Sequence, residues 1–308
     1  MILDNAIFDS AELVTVGIPM QQDSEDVEYS TWIATGDDYI PAVNLRCEDS
    51  LPAGLYACTY SNNDYHLSPI PIDSDELYVF SDSLHEVILN EIKQFWDKKE
   101  VYKKYNLCHR RGVLLEGGPG TGKSSLITQI TQHVITLNGI IFTVRNVSEF
   151  QLLPIVLKSI FRKIEPDRPV ITIIEDVDKI IESMGGDNLL LDFMDGKQSI
   201  NNHLIILTSN NTSELSNALL RPSRIDLRYQ LRNPSEKIRR EYFQHKGIDE
   251  SLLEEYVSKT KGLSLADLKE IFIATIILDK PLDKSISELR SPLMKQDYLT
   301  QSSKITRF

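Results

Sequence analysis

The sequence predicts an α/β fold: a parallel sheet with helices on both faces, built around a phosphate loop, preceded by a β-rich segment and followed by a helical one. Three observations carry this. From Gly112 onward, strand-length apolar runs alternate with helical ones, the pattern of parallel strands joined by helical crossovers. The glycine-rich run GGPGTGKS, Gly117 to Ser124, falls between the first such strand and the first such helix. Residues 1–80 differ in kind, with short strand-like stretches cut by Gly, Pro, Asn and Asp clusters.

The elements follow in order. In residues 1–80 the segments LVTVGI, TWIAT, AVNLRC, GLYACTY and ELYVF read as strands. Ser83 and Glu86 have capping-box spacing, and Leu84, Val87, Ile88, Ile92 and Phe95 recur at helical intervals, so 83–104 is expected to be an amphipathic helix. The alternating region then runs GVLLEG, LITQITQHVIT, GIIFTVR, LPIVLKSIFRKI, VITIIED, NLLLDFMD and LIILTS. Residues 234–279 read as all-helical, and the last thirty give no pattern. Charge adds a boundary. Residues 1–80 hold fifteen acids against one base, Arg46, whereas the remainder holds 30 acids and 32 bases. This predicts an acidic β-rich domain at 1–80, a nucleotide-binding domain at 81–233 and a helical part at 234–308.

Composition narrows the class. The chain of 308 residues is 41% hydrophobic and 25% charged, as soluble globular proteins are. No apolar run approaches the ~20 residues of a membrane span. The amino terminus carries acids where a signal peptide would carry bases, so a cytoplasmic setting is expected. Cys47, Cys58 and Cys108 lack metal-ligand spacing and read as reduced thiols. A net charge of −12 argues against direct nucleic-acid binding, which depends on neutralising phosphates. The acidic leading domain reads equally well as a solvated surface or as a docking face.

The strongest chemical signal is Gly117-Gly118-Pro119-Gly120-Thr121-Gly122-Lys123-Ser124, which fits G-x-x-x-x-G-K-[ST] in the strand–loop–helix context it requires. Glycines let backbone N–H groups close around a phosphate chain, and the following helix adds its N-terminal dipole. Lys123 is expected to reach the β- and γ-phosphates of ATP, and Ser124 to hold Mg²⁺, with Ser125 beside it. A second signal is IIEDVD, Ile173 to Asp178, with two adjacent carboxylates at the end of a buried strand. Such a pair is costly unless a cation or a proton-transfer task claims it. The strand is expected to lie beside the phosphate-loop strand, one acid serving the metal and the other an attacking water. Asp178 reads as structural, pairing with a base or capping the next helix.

From about residue 110 to 275 the chain resembles an AAA ATPase. RRGVLLEGGPGTGKSSL resembles Walker A, with Gly118 where a proline is usual, and RPVITIIEDVDKI resembles Walker B. LLLDFMDGK resembles the leucine-rich helix that follows, and LIILTSNNTSELSNALLRPSRIDLRYQL resembles sensor 1 and the second region of homology. GLSLADL, residues 262–268, is similar to the motif of the helical lid, with Ala266 where other branches place a sensor 2 arginine. The order Glu175-Asp176 departs from the usual Asp-Glu. It is similar to the branch containing the mitochondrial respiratory-complex assembly translocase, as is FWDKKEVYKKYNLCHRRGVLL.

The resemblance implies an ATP hydrolase. Glu175 would take the metal side, Asp176 and Asn210 would orient the lytic water, and Arg221 and Arg224 would act on the neighbouring subunit's γ-phosphate. It further implies a ring-shaped homo-oligomer, a hexamer by analogy, that remodels or translocates a protein client held through residues 1–80. Phe150 stands where the family places a pore-loop aromatic, and also where a buried Phe would pack on the sheet. Two alternatives stay open at this point: a regulatory or scaffold ATPase switch, and a nucleic-acid-linked loader on the same core.

Overall fold

The computed structural model describes residues 31–35, 38–42, 49–61, 64–72, 80, 83–195, 200–211 and 215–290. The chain divides into two compact units, residues 1–49 and 50–308. In the first, β1 (Thr31–Thr35) and β2 (Asp38–Ala42) pair antiparallel, Thr31 opposite Ala42. TWIAT is thus a strand, whereas LVTVGI, most of AVNLRC and most of ELYVF lie outside the described residues.

Among the described residues, the second unit is built on seven strands. These are β3 (Gly54–Ser61), β4 (Asp64–Ile70), β5 (Arg110–Glu116), β6 (Ile140–Val144), β7 (Val170–Ile174), β8 (His203–Ser209) and β9 (Leu227–Gln230), in the order β4-β3-β6-β7-β8-β5-β9. Every neighbouring pair is parallel except β3–β4. The sheet therefore draws in Gly54–Ile70, residues within the 1–80 span that the acidic composition marks off. Surface charge and sheet membership are separate properties, because a strand's inward residues contribute nothing to net charge.

Alternation places successive strand residues on opposite faces. Leu114, Phe142, Ile174 and Ile205 pack on one side against α4 (Val147–Ile155), α6 (Val177–Met184) and α7 (Asn188–Met194). Leu115, Ile141, Ile173 and Ile206 pack on the other against α1 (Leu84–Asp97) and α3 (Lys123–Thr136). Being covered on both faces explains why these strands read as continuous apolar runs. The helix expected over 83–104 breaks at Lys98 into α1 and α2 (Lys99–Lys104), and Ser83 Oγ caps α1 by accepting from the Glu86 N–H at 3.2 Å.

After α4 the chain continues through a π-helical turn, Val156–Phe161, into α5 (Arg162–Ile164). Helical backbone thus occupies the β6–β7 connection where the resemblance places a pore loop. Phe150 is 2% exposed and packs edge-on against Phe193 at 5.7 Å. It is a core residue and not a pore-loop aromatic.

Beyond β9, helices α8 (Glu236–His245), α9 (Glu250–Lys259) and α10 (Leu265–Phe272), a π turn at Ile273–Ile277 and α11 (Leu282–Arg290) form a separate core around Phe243, Leu253, Leu268 and Ile271. α11 falls within the stretch that gave no pattern. No helix among the described residues is long and apolar enough to cross a membrane.

Candidate active site

The phosphate loop follows β5 and ends at Gly122, whose φ of +96° is a conformation that a Cβ would strain. No side chain caps α3. Its first N–H groups are therefore aimed at the loop with no side-chain acceptor, the arrangement that suits an anion. Lys123 Nζ donates to Gly117 O (2.5 Å), Gly118 O (3.1 Å) and Asn210 Oδ1 (2.7 Å). Burial pushes the Lys123 pKa down, and Asp176 and Asp178 pull it back up. Thr121 is buried and donates to Gly118 O at 2.8 Å, closing the loop on itself.

β8, not β7, lies next to β5, which corrects the expectation that the acid-bearing strand is the neighbour of the phosphate-loop strand. The intervening strand has a task of its own: it delivers Asn210 between the lysine and the acid. Asn210 Nδ2 donates to Asp176 Oδ1 at 3.1 Å while its Oδ1 accepts from Lys123. Asp176 holds a left-handed backbone, φ 46° and ψ 52°, an uncommon state for a residue with a Cβ. Its N–H donates to Thr208 Oγ1 at 2.9 Å, and its Oδ2 pairs with Lys179 at 2.5 Å.

The two adjacent acids therefore part company. Asp176 lines the cleft together with Lys123, Ser124, Ser125 and Asn210, and Glu175 does not. The Glu175 carboxylate accepts from Thr143 Oγ1 on β6 at 3.3 Å. Asp178 lies in the first turn of α6 with Oδ1 buried and without a hydrogen-bond partner.

The cleft has a volume of about 770 Å³, and Pro119, Gly120 and Ala266 belong to its wall. The Ala266 N–H at the start of α10 donates to Gly120 O at 3.2 Å, so the helical part touches the phosphate loop directly. His85, Tyr242, Lys269 and Phe272 also face the cleft, and sequence reading passed over all four. The lid motif pointed to α10 but not to positions beyond it, and His85 shows only as one residue of a capped first turn. Burial lowers the His85 pKa, which favours the neutral imidazole.

The two arginines also separate. Arg221 is exposed, and among the described residues its guanidinium has no hydrogen bond or ion pair. Arg224 is bound within its own chain: Nε and Nη2 donate to Asp195 Oδ1 at 3.2 and 3.1 Å, and Nη1 to Ala218 O at 2.7 Å. The two arginines expected to act together thus have different surroundings.

Residues 113–233 match the profile of the ATPase family associated with various cellular activities (AAA). The 26S proteasome regulatory subunit 6B homolog of Dictyostelium discoideum is 31% identical over 56% of this chain and 47% of its own length. An AAA-ATPase of Arabidopsis thaliana is 26% identical over 62% of this chain and 41% of its own. The 26S proteasome regulatory subunit 8 homolog of Encephalitozoon cuniculi is 28% identical over 75% of this chain and 67% of its own. The chain spans about half the length of the first two relatives, 47% and 41%. The matched profile is that of an ATPase family, and the Arabidopsis relative is itself named an AAA-ATPase.

Proposed function

With an AAA-family domain at residues 113–233 as the starting point, we propose that this protein is an ATP-driven motor that assembles into a ring, a hexamer by analogy, and remodels a protein client. The observation that carries the proposal is the chain of contacts Lys123–Asn210–Asp176, between the segments that follow β5, β8 and β7. It ties a phosphate-binding ammonium to a carboxylate through one orienting amide. Mg²⁺, held from Ser124 and the Asp176 side of the cleft, would supply charge neutralisation along the phosphates. Lys123 exchanges its loop carbonyls for phosphate oxygens. Asn210 fixes the rotamer of Asp176, whose carboxylate orients a water and receives its proton. Arg221 reaches an anion that its own chain does not offer, the neighbouring subunit's γ-phosphate.

Client chemistry follows from two supports. Several relatives are named as regulatory subunits of the 26S proteasome, which favours a protein substrate. The acidic residues before Ser50, outside the sheet-bearing unit, are our assignment for client contact. With helix in the β6–β7 connection, remodelling fits better than threading by an aromatic loop at that point. The likeness to the respiratory-assembly branch rests on the Glu175-Asp176 order and the segment around α2.

Subunit mixing tests the ring. Arg221→Ala and Lys123→Ala should each be inactive alone, one lacking the arginine and the other bound nucleotide. Mixed rings should recover turnover at sites that combine the intact loop of one with the intact Arg221 of the other. If Arg221→Ala keeps the parent rate, or dilution leaves specific activity unchanged, the shared site is wrong. An unfolded model protein should raise turnover several-fold; a rate indifferent to protein clients would favour the regulatory-switch reading instead.

A further inference from the structure

We infer that Arg224 is a positioning residue, not a second finger: its ion pair with Asp195 braces the segment that presents Arg221. The inference rests on the shared-site reading for Arg221 and assigns the second arginine a different role.

The brace is visible atom by atom. Arg224 spends both ends of its guanidinium on the same chain, Asp195 Oδ1 on one side and Ala218 O on the other, and its side chain is only 17% exposed. A guanidinium committed to a carboxylate and a carbonyl has few donors left for a phosphate. A second arginine spans the same gap: Arg110 donates from Nη1 to Ser223 O and from Nη2 to Met194 O, both at 2.9 Å. Two guanidiniums thus join the end of α7, Met194 and Asp195, to the segment 218–224.

That segment is strained and pinned. Ser223 has φ +76°, and its N–H is held by Asp226 Oδ1 at 3.0 Å. Asp226 in turn exchanges hydrogen bonds with Gly112, its Oδ2 accepting from Gly112 N at 2.9 Å and its N–H donating to Gly112 O at 2.8 Å. A strained conformation persists only where its surroundings over-determine it. Arg221 lies inside this braced segment with its side chain exposed, and among the described residues its guanidinium has no tie of its own.

A charge swap separates the two roles. Arg224→Asp and Asp195→Arg should each lower kcat by roughly 10- to 100-fold, the scale of a misplaced catalytic group, with the KM for ATP within about twofold of the parent. The double variant Arg224→Asp/Asp195→Arg should recover to within a few-fold of the parent kcat, because the pair is restored with its ends exchanged. A direct phosphate contact cannot be restored by placing an aspartate at residue 224. If the double variant is as slow as Arg224→Asp while Asp195→Arg alone keeps the parent rate, Arg224 acts on phosphate itself and the brace is refuted. Thermal melting and nucleotide binding by each variant separate a lost fold from a lost brace. Arg221→Ala serves as the control for the underlying reading: if it keeps the parent kcat, the finger reading fails. Melting of the four swap-cycle proteins then still reports whether Arg224 and Asp195 are coupled, and additive melting shifts would refute the pair.

Discussion

Gly112→Ala is a sharp test of how closely Arg221 must be held. Gly112 lies in β5, and a Cβ added there would stand 1.8 Å from Arg224 O and 3.1 Å from the Met194 methyl. Carbon and carbonyl oxygen approach no closer than about 3.3 Å, so the backbone at Arg224 must retreat by about 1.5 Å. The retreat breaks or lengthens the paired hydrogen bonds between Gly112 and Asp226 and carries Arg221 with it. Overpacking of this kind costs about 1–3 kcal/mol of stability, whereas a 1 Å misplacement at a reacting centre costs about 100-fold in rate. Turnover at saturating ATP should therefore fall about 100-fold, with nucleotide affinity preserved, since the phosphate loop's own contacts are not touched. Steady-state ATPase measured beside binding of a fluorescent ATP analogue reads both. A variant with parent kcat and parent melting temperature would refute the reasoning, because the segment would then have somewhere to go at no expense to catalysis.

Three further outcomes follow from the same geometry. Lys123→Ala should abolish binding of the ATP analogue, since a charge-assisted contact worth about 1.5–3 kcal/mol or more is removed; parent-like affinity would overturn the phosphate-loop assignment. Asp176→Asn should keep ATP affinity and lose turnover, whereas Glu175→Gln, whose carboxylate faces Thr143, should lose far less; the reverse ranking in steady-state assays would exchange their roles. A chain beginning at Ser50 should stay folded and hydrolyse ATP while losing its client. One beginning at Ser81 lacks β3, the strand paired with β6, and should aggregate or melt at markedly lower temperature; equal melting of the two would show that the β3–β4 pair adds nothing to the sheet.

What the sequence disclosed and what it withheld divide along range. The phosphate loop was legible because Gly117 to Ser124 are consecutive, so one local conformation is written in one local string. Strands β5 to β8 were legible because burial on both faces leaves uninterrupted apolar runs. The partner of Arg224 was not, since Asp195 lies 29 positions away and nothing local marks the two as a pair. Nor was the parting of Glu175 and Asp176: the left-handed turn at Asp176 swings one carboxylate into the cleft and leaves the other against β6. Phe150 shows the converse, an aromatic at a suggestive position whose environment only the packing of Phe193 decides. The division near residue 80 followed charge, and charge is blind to which strands pair.

Among the described residues, the two outermost strands of the sheet carry a consequence for assembly. An open strand flank is a template on which another chain can add itself. On one side the flank is β4, DYHLSPI, where Pro69 takes a donor out of the row. On the other it is β9, only 4 residues long, where Arg228 leans across to Glu116 at 2.7 Å. Neither invites an eighth strand. If the proposed ring forms, its subunits would meet without fusing their sheets, through side-chain surfaces that can part again.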